Sequence, residues 1–169
     1  TVCLGQSTTL TANGGVSYQW SNNETGNSIT VSPTGTQTYV VTATNALGCS
    51  SSAEATVTVN ALPQISFSGN TVICDGSTTT ISAVGNNTYV WSNGAQTPSI
   101  SVGNQGYYKV TATNAQNCSS TDSIYVKVNS NPAVNIAGSN YVCAGGITTL
   151  TASGAASYLL NTQEITPTI

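Results

Sequence analysis

Five cysteines, together with a group of tyrosines and lysines, are the side chains of this sequence that could carry chemistry. Cys3, Cys49, Cys74, Cys118 and Cys143 are widely separated, and none belongs to a CxxC pair of the kind that binds zinc or exchanges electrons. The chain contains no histidine, so a catalytic thiol would have no imidazole to activate it. Single, widely spaced cysteines predict disulfide bonds and an oxidising compartment.

The cysteines also mark an internal repeat of about seventy residues. Cys3, Cys74 and Cys143 are separated by 71 and 69 residues, and Cys49 and Cys118 by 69. The segments TVCLGQSTTLTA, TVICDGSTTTISA and YVCAGGITTLTA align around the first three. Self-similarity at a fixed period is the signature of a repeat array. We predict three repeats: 1–61 (first strand missing), 62–131, and 132–169 (last two strands missing).

Within each repeat, apolar and polar residues alternate with the period of a β-strand. Tyr39, Val41 and Ala43 alternate with Val40 and Thr42, which places one face of the strand in a core and the other in water. Turn residues such as NG separate these segments, and no window shows helical spacing with caps. About seven short strands per repeat predict an all-β fold of tandem immunoglobulin-like β-sandwich repeats.

The second repeat shows the complete pattern and the third an interrupted one. Proline-containing linkers, NALPQI and NSNPAV, separate the repeats. Because repeat 3 stops before its last two strands, it cannot bury its inner face alone. We expect the natural chain to continue, although a second chain could also complete this sandwich. Strands are predicted in repeat 2 near 64–73, 78–83, 88–92, 99–102, 107–113 and 118–128, with one further strand.

Two disulfide pairings are compatible with this organisation. The first joins the two cysteines of each repeat, Cys3 with Cys49 and Cys74 with Cys118. It leaves Cys143 unpaired, and we expect it because one bridge per repeat is the commoner arrangement. The second joins neighbouring repeats through Cys3 and Cys118 and would stiffen the array. Strand direction favours the second, since the two cysteines of one repeat would lie at opposite ends of a sandwich.

Aromatic residues recur at fixed places in the repeats. Trp20 and Trp91 stand in the third strand of their units, where a sandwich carries its central core aromatic. Tyr39 and Tyr108 begin the penultimate strand, the position of the corner tyrosine of immunoglobulin-like domains. All four are predicted to be structural.

The two lysines of the chain occur beside two tyrosines in the last hairpin of repeat 2. Strand alternation places Tyr107, Lys109, Tyr125 and Lys127 on one outer face, with Tyr107 opposite Tyr125. The plainer interpretation is cross-strand packing that keeps an exposed sheet soluble. The functional interpretation is a patch that binds a glycan or a partner protein through stacked tyrosines.

The motifs VC.G…TTLTA, Y.W and Y.VTATNA..C resemble the Ig-like repeats of Bacteroidota cell-surface proteins, including gliding-motility adhesins. The resemblance covers the whole chain. It implies export by the type IX secretion system and an extracellular or cell-surface location as a stalk, filament or adhesin. It also implies O-glycosylation at Ser123, because Asp122–Ser123–Ile124 matches the Asp-Ser/Thr-apolar motif of exported proteins in that group.

Composition argues against several function classes. Charged residues make up 4% of the chain, so no basic surface exists for nucleic acid. No apolar run approaches the length of a membrane helix. The five carboxylates are scattered, without a repeated pair for catalysis or an acidic loop for calcium; they are Glu24, Glu54, Asp75, Asp122 and Glu164.

We therefore predict a structural protein rather than an enzyme, without cofactors or catalytic and metal-binding residues. The predicted function is that of a segment in a long extracellular Ig-like array, and its main partners are neighbouring repeats of the same chain. A surface glycan or lateral copies of the protein are further candidate partners. The alternative is a carbohydrate-binding accessory region of a secreted polysaccharide hydrolase.

Overall fold

The computed structural model describes residues 1–85, 87–161, 163 and 165–169, which form β-strands joined by turns. Glu164, one of the five carboxylates, lies outside the described residues. The described part of the chain contains no helix that is long and apolar enough to cross a membrane.

Repeat 1 consists of two short sheets and an edge pair. In one sheet β2 pairs antiparallel with β4, and in the other β5 lies between β3 and β6. The short β1 pairs parallel with β7, the end of the last hairpin strand. The strands are β1 (Val2–Cys3), β2 (Thr8–Thr11), β3 (Ser17–Trp20), β4 (Ser28–Val31), β5 (Gln37–Thr44), β6 (Ser50–Val57) and β7 (Val59–Asn60).

Repeat 2 is a complete sandwich of two sheets. The strand order is β12-β10-β8 in one sheet and β11-β13-β14-β9 in the other, with β9 parallel to β14. This is an immunoglobulin-like arrangement, so the predicted fold class is confirmed. The strands are β8 (Ser66–Ser68), β9 (Val72–Cys74), β10 (Thr79–Val84), β11 (Thr88–Trp91), β12 (Ser99–Val102), β13 (Gly106–Thr113) and β14 (Ser119–Asn129).

The first strand of repeat 2 divides into two where the sequence predicts a single strand over 64–73. The chain pairs with β10 through β8, then crosses to the other sheet and pairs with β14 through β9. Gly69 lies at the crossing with φ 118°, and a Cβ there would collide with the carbonyl oxygen of Thr80. Glycine alone accommodates both this backbone conformation and this close approach.

The sandwich of repeat 2 encloses a continuous apolar core. Trp91 is 2% exposed, donates its indole N–H to the Thr97 carbonyl at 2.9 Å, and packs against Phe67 at 6.3 Å between ring centroids. It is therefore the core aromatic predicted from the sequence. The remaining core members are Ile73, Ile81, Ala83, Tyr89, Ile100, Val102, Val110, Ala112 and Val126.

Repeat 1 has a smaller core because it lacks a strand equivalent to β8. Trp20 is buried with Ile29, Val31, Tyr39 and Val41. On the side where β8 packs in repeat 2, a groove of about 500 Å³ opens between β2 and β6. Trp20 and Tyr39 border this groove, although each is only 4% exposed.

Repeat 3 forms a single sheet. β15 (Asn135–Gly138) pairs antiparallel with β16 (Leu150–Ser153), and the backbone of Ile169 exchanges two hydrogen bonds with Leu150 at 2.9 and 3.0 Å. Several of its apolar side chains are exposed, Ile136 and Ile147 among them. In repeat 2 the equivalent sheet is covered by the second sheet, β11-β13-β14-β9. The described residues of repeat 3 form no such second sheet, so its apolar side chains are exposed.

Tyr108 has the contacts of a corner tyrosine. Its hydroxyl donates to the Asn104 carbonyl at 2.8 Å and so connects β13 to the loop before it. We expect Tyr108→Phe to lower the free energy of unfolding by about 1 kcal/mol, the typical net value of one such hydrogen bond. Tyr107→Phe is the matched control, because the neighbouring ring is 74% exposed. Chemical denaturation measures both, and equal effects would contradict the assignment.

Candidate functional site

A disulfide bond between the first two repeats distinguishes this chain from a series of independently folded, unconnected domains. Cys3 of repeat 1 is bonded to Cys118 of repeat 2, with 5.6 Å between their Cα atoms. The expected within-repeat pairing, Cys3 with Cys49 and Cys74 with Cys118, is therefore wrong. The alternative pairing between neighbours is the one present.

Strand direction explains why a within-repeat bond is unavailable in repeat 1. Cys3 ends β1, which runs parallel to β7 and places Cys3 opposite Asn60 at the C-terminal end of the repeat. Cys49 lies in the turn before β6, at the opposite end. The extended chain from Cys49 to Asn60 covers roughly 35 Å at about 3.3 Å per residue. A disulfide requires Cα atoms within about 7 Å.

Repeat 2 repeats this geometry with a longer strand. Cys74 is paired with Asn129 at the far end of β14, whereas Cys118 immediately precedes that strand. β14 is 11 residues long, so it also holds its two neighbouring cysteines roughly 35 Å apart. In both repeats the first cysteine thus lies at the end where the last strand finishes, and the second cysteine lies at the opposite end.

The linker between the two repeats is held against repeat 2 by side chains of the last hairpin. Asn114 donates its side-chain N–H to the Ala61 carbonyl at 2.9 Å, and the Ser120 hydroxyl donates to the Pro63 carbonyl. Cys118 itself is 0% exposed. The disulfide bond and the Asn114–Ala61 hydrogen bond therefore join the two repeats, while the Ser120–Pro63 hydrogen bond holds the linker against repeat 2.

These linker contacts could not be read from the sequence. The Asn-Ala segments at 45–46 and 114–115 indicate turns, and the side-chain oxygen of Asn114 does accept the Cys118 N–H at 3.0 Å. The other end of the same amide reaches the linker. Its linker contact depends on how two repeats dock, which a pattern within one repeat does not encode.

The other three cysteines are free and exposed: Cys49, Cys74 and Cys143. Cys143 agrees with its prediction. Cys49 and Cys74, predicted as disulfide cysteines, are unpaired within this chain. Each occupies a position whose counterpart in another repeat is bonded, Cys49 corresponding to Cys118 and Cys74 to Cys3.

The tyrosines and lysines of repeat 2 lie together on the outer face of the β13–β14 hairpin. Tyr107 is directly opposite Tyr125, with 4.8 Å between ring centroids and 55° between ring planes. The two rings are 74% and 40% exposed. Lys109 and Lys127 are exposed two residues further along each strand. We call these four residues the tyrosine patch; ligand binding by it stays a prediction.

Ser123 is exposed and lies opposite Lys109 in the same hairpin. Its backbone N–H donates to the Asp122 carboxylate at 2.7 Å. A sugar attached to its hydroxyl would emerge on the same face as the tyrosine patch, next to Lys109. Glycosylation here and ligand binding by the patch would therefore compete for one surface.

Comparison with known proteins gives no family assignment. No family model matches the chain, and no curated protein is similar to it. Among solved structures, murine CEACAM1b matches with 14% identity and a TM-score of 0.35, covering 76% of this chain and 95% of that one. The insect immune protein hemolin, whose structure was discussed in terms of homophilic adhesion, matches with 18% identity and a TM-score of 0.38, covering 76% of this chain and 44% of that one.

A third solved structure belongs to a glycan utilisation system. SGBP-B of the Bacteroides ovatus mixed-linkage glucan utilization locus, in complex with a mixed-linkage heptasaccharide, matches with 15% identity and a TM-score of 0.21. The match covers 79% of this chain and 43% of that one, so the chain spans less than half the length of this protein and of hemolin. At these TM-scores none of the likenesses carries a role over to this chain.

Proposed function

We propose that this chain is a structural segment of an extracellular Ig-like array, working as part of a stalk, filament or adhesin. The observation that supports the proposal most directly is the Cys3–Cys118 bond across the junction of two repeats. Because it joins one repeat to the other, this bond does not connect the two sheets of either sandwich. It restricts bending between the two repeats, and that restriction is useful in a protein that must hold its length.

The same bond determines which residues can be stretched. When force is applied to the two ends of the chain, it passes from Cys3 directly to Cys118, and the residues between them carry no load. Their sequence separation is 115, so at roughly 3.5 Å per extended residue the bridge conceals about 400 Å of contour length. A tether under tension gains extensional stiffness from such a bypass.

Single-molecule force spectroscopy tests this proposal. The protein is held by handles at its two ends and extended fully, first oxidised and then in a thiol reductant. We expect the reduced protein to extend about 400 Å further. Cys49→Ser, which removes a free and exposed thiol, is the matched control and should not change the oxidised length. Equal lengths in both redox states would contradict the mechanical role.

An extracellular location belongs to the same proposal. Disulfide bonds persist in oxidising compartments and are rare in the cytosol, and the sequence resemblance points to Bacteroidota surface proteins exported by the type IX system. The partners under this proposal are neighbouring repeats, and lateral copies of the chain are further candidates. No enzymatic role is proposed; hydrolysis of any polysaccharide by the purified protein would contradict that part.

Carbohydrate binding is the second candidate function, and the tyrosine patch is the observation that favours it. Two exposed rings in contact, placed between two lysines, offer a surface on which a sugar could stack. Repeat 1 has Thr38 and Thr56 in the positions of the two tyrosines, hydrogen-bonded to each other at 2.8 Å. Binding by this surface would thus be a property of repeat 2 alone.

Glycan binding is tested on a polysaccharide array with two double variants. Tyr107→Ala with Tyr125→Ala removes both rings and is expected to weaken binding about tenfold or more, on the scale of the roughly 1–3 kcal/mol that one aromatic ring contributes when a nucleobase stacks on it. Tyr107→Phe with Tyr125→Phe keeps the rings as a control and should retain most of the affinity. If the unaltered protein bound no polysaccharide, the structural role would be the one remaining proposed function.

A further inference from the structure

We infer that every repeat of this kind carries two disulfide bonds to its neighbours, one forward and one backward, so that Cys74 and Cys49 are bridge sites and not structural thiols. The partner of Cys74 is the second cysteine of a following repeat, and the partner of Cys49 is the first cysteine of a preceding repeat. This inference rests on the proposed role as an array, and it deepens that role by assigning a covalent bond to each junction.

The loop that carries the first cysteine has the same geometry whether or not the cysteine is bonded. The residue after it donates its N–H to the last strand of its repeat, from Leu4 to the Asn60 carbonyl and from Asp75 to the Asn129 carbonyl, both at 2.9 Å. The cysteine carbonyl then accepts an N–H from three residues further on, at 2.9 Å in repeat 1 and 3.0 Å in repeat 2. Cys74 is therefore held in the position from which Cys3 forms its bond.

The turn that carries the second cysteine is likewise the same in both repeats. The N–H of Cys49 and that of Cys118 each donate to an asparagine side chain, Asn45 and Asn114 respectively, at 3.0 Å. The backbone N–H of the same asparagine in turn donates to the backbone carbonyl of the cysteine, at 2.9 Å in repeat 1 and 3.0 Å in repeat 2. Cys118 is fully buried, whereas Cys49 is exposed. The two turns have the same hydrogen bonds. They differ in that the turn of Cys118 adjoins a repeat on its N-terminal side, which is repeat 1.

The second junction resembles the first in the length and position of its linker. Pro63 and Pro132 both follow three residues after the asparagine that ends the last strand. The side chain of Asn131 donates to the Asp75 carbonyl at 3.0 Å, which holds the second linker against the loop of Cys74. A repeat that docks on this linker in the way that repeat 2 docks on the first would bring its second cysteine to Cys74.

Bond formation requires a two-electron oxidant, and a low-molecular-weight disulfide of the glutathione class supplies it. The thiolate of Cys74 attacks one sulfur of this disulfide and releases one thiol. The thiolate of the partner cysteine then attacks the mixed disulfide at the Cys74 sulfur and releases the second thiol. The protein loses two protons and two electrons, the oxidant is reduced to two thiols, and one S–S bond replaces another.

Completion of repeat 3 tests the inference. Ile169 aligns with Ile100, so a copy of residues 101–129 joined after Ile169 supplies the two missing strands and one second cysteine. In the copy, Gln116→Leu, which reproduces the exposed Leu47 of repeat 1, gives the peptide its own mass. After oxidative refolding with a glutathione buffer, non-reducing peptide mapping identifies the bonded pairs.

We expect the copied cysteine to be bonded to Cys74, with Cys3–Cys118 retained and with Cys49 and Cys143 reactive towards a maleimide. Cys74→Ser in the same protein is the control and should leave the copied cysteine reactive. A bond from the copied cysteine to Cys143, or a free Cys74 beside an intact Cys3–Cys118 bond, would overturn the inference. Neither result affects the force measurement on the unextended chain, so the failures of the two proposals are distinguishable.

A second variant decides the matter if the extended repeat 3 does not fold. A copy of residues 61–129, marked by the same Gln116→Leu change, is inserted after Asn129, which places a complete second sandwich behind the first with an unaltered linker. Repeat 2 already contains every strand of its two sheets. A bond from Cys74 to the second cysteine of the copy supports the inference, and a free Cys74 in the folded protein overturns it.

Discussion

Cys3→Ser is expected to lower the free energy of unfolding of the oxidised protein by about 4 kcal/mol. The bridge joins residues separated by 115 positions, and closing a loop of that size reduces the entropy of the unfolded chain by an amount worth roughly 4–5 kcal/mol. Cys3 is the better position for the change, because Cys118 is fully buried and a serine there would add the cost of an unsatisfied hydroxyl.

Chemical denaturation under non-reducing conditions measures this effect, and Cys49→Ser is again the matched control. An exposed, unpaired cysteine should change stability by less than about 0.5 kcal/mol. The double variant Cys3→Ser with Cys118→Ser should be no more stable than the less stable of its single variants, since one bond is lost in every case. A stabilising or neutral Cys3→Ser would show that the bond does not form in solution.

Trp91→Ala is the second change with a large expected effect, a loss of about 3–5 kcal/mol in the stability of repeat 2. The ring is 2% exposed, contacts Phe67, and satisfies the Thr97 carbonyl through its indole N–H. Truncation therefore leaves a large cavity between the sheets and an unpaired acceptor.

The equivalent change in repeat 1, Trp20→Ala, should cost about 1 kcal/mol less, which is the typical contribution of an aromatic pair. Trp20 has no counterpart of Phe67, and it borders the groove of about 500 Å³ where β8 would pack. Differential scanning calorimetry, which records the unfolding of both repeats, compares the two variants. A larger loss for Trp20→Ala would show that the core of repeat 1 is not the weaker of the two.

Much of the local structure is predictable because the same sequence pattern recurs from one repeat to the next. Alternation around Tyr39 and Val41 predicts the hairpin strands, and the third-strand tryptophan is buried in both repeats. The outward position of Tyr107 and Tyr125 also follows from strand parity, and the structure places their rings in contact. These features depend on residues a few positions apart, and the period of a strand is enough to orient them.

Two predictions failed or changed because they depend on longer distances. The strand over 64–73 divides at Gly69, where the backbone approaches Thr80 of the neighbouring strand too closely for any side chain. The expected pairing of Cys3 with Cys49 assumes one bridge per repeat, a statistical preference without geometry. In both cases the deciding partner is a residue from another strand or another repeat.

The sequence by itself determined an all-β fold with an internal sequence repeat of about seventy residues, the identity of its core aromatics and the face on which its lysines lie. Tertiary structure alone decided which cysteines meet. Parallel pairing of β1 with β7 sends Cys3 to one end of its sandwich, while β6 holds Cys49 at the other. A disulfide forms over a few ångströms, so the bond follows the docking of repeats and not their spacing along the chain.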